Sequence, residues 1–168
     1  MKRSATLIHR SAWKAAPLAF AQSQGGAPEP IDDTPGVLPP LDDPNHIAAA
    51  CTFTVLYEPS GRTKEIDVPD LPGKERTITI FPASSYTLTN VNEEENTVTL
   101  NTTGSMHQTT LENGDVVTRV TGLNLLGDPE AGFVLAKGNF SFVFDKDGNL
   151  IQPLAGEGEL IDVCELLS

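Results

Sequence analysis

A chain of 168 residues, 39% of them apolar, has material for one modest core. Its formal net charge is −12, and because Lys2, Arg3, Arg10 and Lys14 fall in an acid-free stretch of the first 28 residues, the remainder carries about −16. Such a surface repels phosphate backbones and anionic lipids, which excludes nucleic-acid binding by the folded part, and no apolar run approaches the roughly 18 residues that span a bilayer.

Residues 1–21 form a basic arm. Lys2 and Arg3 with Ala19-Phe20-Ala21 resemble the charged start and small-residue cleavage site of a secretory signal. His9, Arg10, Lys14 and Pro17 interrupt the apolar run such a signal needs, so the segment reads either as a degenerate signal or as an arm that stays attached. Leu7, Ile8, Ala12, Ala15 and Ala16 recur at roughly helical spacing, which suits a short amphipathic helix on a protein partner or a membrane surface. Residues 22–50 carry six prolines and five acids with almost no apolar periodicity. They read as an extended linker that orders only against a partner.

From Cys51 the texture changes to short β-branched runs between turn residues, the pattern of an antiparallel meander closed as a small barrel or a two-sheet sandwich. The domain is therefore all-β and spans 51–168. Strands are expected at Thr52–Tyr57, Lys64–Val68, Arg76–Phe81, Tyr86–Asn90, Thr97–Thr102, His107–Leu111, Val116–Leu123, Phe133–Ala136, Phe140–Asp145, Leu150–Pro153 and Glu157–Val163, with one helical turn at Glu165–Leu167. Asn113-Gly114 and Asp147-Gly148 mark two hairpins, for which type I′ turns are expected. Alternation puts Phe140, Phe142 and Phe144 on one face as core anchors, joined by Phe53, Val55, Tyr57, Ile78, Ile80, Leu88, Val98, Leu100, Leu160 and Ile161.

The two cysteines, Cys51 and Cys164, stand at the two ends of this domain. Paired, they tie the opening strand to the closing one; unpaired, they are two small buried hydrophobes. With His9, His46 and His107 they lack any paired ligand spacing, so no metal site is expected. Asp145-Lys-Asp147-Gly148-Asn149 places its glycine fourth rather than sixth and reads as a hairpin, not a calcium loop. The acidic runs Asp32-Asp33, Asp42-Asp43 and Glu93-Glu94-Glu95 read as solvated segments.

Ser105 and His107 lie two apart on a strand, hence on one face. No turn of the G-x-S-x-G kind presents the serine, so the pair reads as a polar strand pair and no catalytic residue is assigned. No glycine-rich phosphate loop or HExxH motif occurs, and no cofactor is expected. Should the fold enclose a pocket, Tyr86, His107 and Arg119 are the candidate ligand contacts.

Between Asn101 and Leu167 the chain carries Thr103-Gly104-Ser-Met-His107, Asn124-Leu-Leu-Gly-Asp-Pro129, Phe142-Val-Phe-Asp-Lys-Asp-Gly-Asn-Leu-Ile-Gln-Pro-Leu154 and a closing cysteine. In this combination it resembles a group of small secreted actinobacterial β-domain proteins of unknown function, over Cys51 to the end. The resemblance implies an extracellular β domain and supports the disulfide, and it carries over no functional residue. The expectation is a non-enzymatic structural or binding module, extracellular or associated with a virus particle as a decoration or tail accessory protein. A small barrel that binds or rearranges an apolar ligand is the alternative.

Overall fold

The computed structural model describes residues 26–40, 51–69, 71–92 and 96–168. The basic arm with its helical spacing, His9, His46 and the runs Asp42-Asp43 and Glu93-Glu94-Glu95 lie outside these residues. The described chain makes β1 (Glu29–Pro30), β2 (Gly36–Leu38), β3 (Val55–Ser60), β4 (Arg62–Asp67), β5 (Glu75–Ile80), β6 (Ser85–Asn90), β7 (Thr97–Asn101), β8 (Gly104–Thr110), β9 (Val116–Asp128), β10 (Gly132–Phe144), β11 (Leu150–Asp162) and a short helix, α1 (Val163–Leu166). They form two antiparallel sheets, β1-β4-β5-β8-β9-β10-β11 and β2-β3-β6-β7.

The small sheet shows the simplest pattern. Tyr86, Leu88, Val55 and Leu100 turn inward and are buried, while Thr87, Thr89, Thr97 and Thr99 face out. The outward threonines bond across the strands in two pairs, Thr87 with Thr99 and Thr89 with Thr97, each at 3.0 Å. Alternation with period two is all that this arrangement requires.

The large sheet is built differently. Four expected strands merge into two: Phe133–Ala136 and Phe140–Asp145 belong to one 13-residue β10, and Leu150–Pro153 and Glu157–Val163 to one 13-residue β11. The glycines that looked like breaks lie in ladder positions, with Gly104 opposite Gly122, Gly122 opposite Gly138, and Gly138 opposite Gly158. At Gly138, where φ is 146°, an added Cβ would run into the backbone oxygen of Glu157. Across this glycine row the strands bend back on themselves. Asp128 marks the bend: it pairs with Gly132, and its Oδ2 accepts the N–H of Leu154, 3.1 Å away. Leu154 lies between Gln152 and Ala155, which stand opposite Val143 and Ser141. In a straight sheet these levels would be about 30 Å apart.

The bend divides the apolar residues into two clusters. Inside it pack Val120, Ala136 and Phe140, with Met106, Leu126, Phe142 and Leu154. On the outer side, below the bend, Phe133 and Leu135 join Val55, Tyr86, Leu88, Leu100, Cys51, Val163 and Leu167 in the main core between the sheets. The phenylalanine face thus anchors the smaller cluster. Phe140 is buried, whereas Phe142 and Phe144 are half-buried and meet edge to face, with ring centroids 5.6 Å apart. Leu160 is 41% exposed and Ile161 packs inward, because neighbours on a strand face opposite ways. For the same reason Ile78 and Ile80 are half-buried on the opposite face from buried Thr79.

Both marked hairpins form, with a different turn from the one expected. In each, only the glycine has positive φ, 87° at Gly114 and 83° at Gly148. Gly114 N–H donates to Leu111 O and Leu111 N–H to Asp115 O; Gly148 and Asp145 repeat this pattern with Asp145 and Asn149. That is a three-residue loop, a type I turn closed by a glycine bulge.

Cys51 and Cys164 are joined in a disulfide across 113 residues of sequence. The bridge fastens α1 beneath the small sheet, where Asn90 Nδ2 donates to Leu167 O at 3.0 Å and Leu167 is fully buried. Asp162 caps α1, its Oδ1 accepting from the N–H groups of Cys164 and Glu165.

The stretch 22–50 differs from the extended linker expected of it, as far as 26–40 shows. β1 adds to β4 at the edge of the large sheet and β2 adds to β3 at the edge of the small one. Residues 31–35 cross between them through a turn in which Asp32 Oδ1 accepts from Thr34 N–H and Thr34 Oγ1. This hydrogen bonding holds the Asp32 carboxyl below its ordinary range. The segment is a clasp over both sheets, held by backbone pairing and therefore invisible to apolar periodicity.

Candidate functional site

Above the bend, the face that lower down packs on the small sheet belongs to neither apolar cluster of the described residues. β8 and β9 place on it a square of side chains: Ser105 opposite Thr121, and His107 opposite Arg119. Cross-strand partners share a face with their Cβ atoms about 5 Å apart, so register alone brings these four together. The loop at Asn113-Gly114 sets that register, pairing Thr110 with Val116.

Three of the four are hydrogen-bonded to one another. Ser105 Oγ lies 2.7 Å from Thr121 Oγ1 and 3.2 Å from His107 Nε2. Ser105, His107 and Thr121 are half-buried; Arg119 is exposed, and no side chain or carbonyl of the described residues accepts from its guanidinium. Arg119 is flanked by Ser141 on β10, by Thr121 and Val117 along its own strand, and by Ser105, Thr109, Asn139 and Val143 at the diagonals. None is acidic.

The features of a nucleophile are missing from this square among the described residues. Ser105 sits within a regular strand, with no strained turn to present it, and no carboxylate hydrogen-bonds the His107 ring. What the arrangement can do chemically is donate hydrogen bonds from a positively charged, hydroxyl-lined patch.

Tyr86 belongs elsewhere. It lies on β6 in the main core, with the Tyr57 ring 6.4 Å away, and burial, reinforced by Tyr57, pushes its hydroxyl up to about 12. Of the three candidate ligand contacts, His107 and Arg119 are neighbours and Tyr86 is part of the seam between the sheets.

The remaining polar motifs close turns. Asp145 accepts from the N–H groups of Asp147 and Asn149 and from Asn149 Nδ2; these bonds, led by that of the Asn149 side chain, hold its carboxyl below the ordinary range. Its oxygens are spent within the hairpin. Asp128, buried in the Asn124-to-Pro129 motif, accepts from Glu130 and Ala131 N–H at 2.9 Å as well as from Leu154. Sequence reasoning passed over it because a carboxylate serving backbone donors leaves no trace in periodicity. No group of three metal-ligating side chains gathers among the described residues, and none of their helices is long and apolar enough to cross a membrane.

No protein-family model, no curated protein and no solved structure matches the chain.

Proposed function

We propose that this chain is a non-enzymatic structural or binding module that works outside the reducing cytosol, either exported or carried on a virus particle as a decoration or tail accessory protein. The observation that carries the reading is the Cys51–Cys164 disulfide. Such bridges persist in oxidising compartments and on particle surfaces, and a domain with one modest core gains most from them. The resemblance of Cys51 to the end to small secreted actinobacterial β domains points the same way.

The test is fractionation of the native producer with an antibody to the β domain, together with a thiol count on the captured protein. Recovery from culture supernatant or purified particles with no free thiol is the expected result. A cytosolic pool with two free thiols overturns the proposal.

A further inference from the structure

We infer that the square formed by Ser105, His107, Arg119 and Thr121 is a binding site for a single oxyanion, a carboxylate or a phosphate group at the end of an otherwise uncharged ligand. The inference rests on the reading of the chain as a binding module and names the chemistry of its ligand.

The hydrogen bonds within the square leave a donor unspent in either direction. If His107 Nε2–H donates to Ser105 and Ser105 to Thr121, the Thr121 hydroxyl proton is free to point outward. If Thr121 donates to Ser105 and Ser105 to Nε2, the proton on the other ring nitrogen is left. Beside this chain stands Arg119, whose planar fork matches the two oxygens of a carboxylate or phosphate. Lys64 extends the same row, two strands from Ser105 through Ile80, and like Arg119 has no acidic partner among the described residues. The ring beside Arg119 on this face is the His107 imidazole, held through Nε2 by Ser105, and no Phe, Tyr or Trp occupies the flanking ladder positions, so the broad stacking surface that bases and sugars use is not built there.

The charge of the whole molecule sets the ligand's valence. A net charge of −12 repels polyanions, as screening over about 8 to 10 Å leaves much of that field acting on a chain of phosphates. A lone anionic group on a neutral body meets little of it and gains the local contact. The class is therefore a small ligand with one anionic group, or the single acidic terminus of a larger one.

The experiment is amide and ring NMR titration of the full-length protein with sodium acetate and, separately, with inorganic phosphate, at ionic strength held constant with sodium chloride. The expected result is saturable shifts centred on Ser105, His107, Arg119 and Thr121, with at least tenfold weaker binding in Arg119→Gln. Arg119 is exposed, so the variant's spectrum elsewhere should superimpose on the parent's. Saturation by acetate alone assigns a carboxylate ligand, by phosphate alone a phosphate ester, and by both the shared oxyanion chemistry. Unsaturable shifts, or binding unchanged in Arg119→Gln, overturn the inference. Cellular location does not enter this readout, so failure here and failure of the proposed function are separable.

Discussion

The clasp of residues 26–40 and the long strands β9 to β11 are both attached to the sandwich, by opposite means. The long strands are attached through side chains on both faces: Phe133 and Leu135 fill the main core while Ala136, one residue on, fills the pocket of the bend. The clasp buries only Ile31 below a tenth of its surface and holds by strand pairing, with Ile31 N–H donating to Gly61 O and Arg62 Nη1 to Pro28 O. Apolar burial contributes roughly 1.5 to 3 kcal/mol per large side chain, a net backbone hydrogen bond nearer 1. Long strands should therefore unfold with the whole domain, and the clasp should open by itself.

The largest perturbation removes the covalent tie. Replacing both Cys51 and Cys164 by serine should lower unfolding free energy by about 4 to 5 kcal/mol, the loop-entropy cost of a bridge over this many residues. Urea unfolding followed by circular dichroism measures it. A loss below about 1 kcal/mol would mean that the unfolded chain without the bridge already keeps its two ends close, so that the bridge restricts it little.

Next comes Asp128, on the long-strand side of the comparison. Asp128→Ala leaves three backbone N–H groups without their acceptor, two in the hairpin and one at Leu154, and should cost about 3 kcal/mol. Asp128→Asn keeps one acceptor oxygen and should cost about 1. An Asp128→Asn variant as stable as the parent would show that the contact with Leu154 does not hold the bend, because the one remaining acceptor oxygen serves the hairpin N–H groups and leaves Leu154 N–H without its partner.

How far the sequence discloses these parts follows from which force shapes each. Strand positions, the acidic all-β body and the cysteines at its ends are written in period-two patterning and composition. The bend is not, because Gly122, Gly138 and Gly158 act only once register sets them side by side. The candidate site is half legible. Ser105 and His107 share a face by alternation, but their partners depend on the turn. A two-residue turn at Asn113-Gly114 would set His107 against Val120, while the three-residue loop that forms sets it against Arg119. One residue of loop geometry thus decides whether the imidazole meets a valine or a guanidinium.

A smaller effect comes from the seam between the sheets. Tyr86 keeps its proton in the fold up to about pH 12, whereas a phenol in the unfolded chain ionises near 10. Its contribution is complete below pH 10 and lost as pH rises toward 12, so the parent should lose about 2 kcal/mol more across that window than Tyr86→Phe. Paired urea titrations at pH 9 and pH 11.5 give the difference.

The smallest effect tests the clasp itself. Gly36 stands opposite Tyr57, and a Cβ there would enter the tyrosine ring, which lies over the glycine as aromatic rings do over edge glycines. Tyr57 in turn reinforces the environment that keeps Tyr86 protonated. Gly36→Ala should therefore cost only about 1 kcal/mol in global unfolding, since it displaces a segment attached mainly by backbone. Its signature should be local: faster amide exchange at 36–38 and a Tyr86 ionisation that moves from about 12 toward the ordinary value near 10, read by ultraviolet phenolate titration. If exchange quickens and the ionisation stays in place, the clasp is an edge strand and nothing more. If both move, backbone pairing at the sheet edge governs the electrostatics of a tyrosine in the core, and the two modes of attachment are coupled through Tyr57.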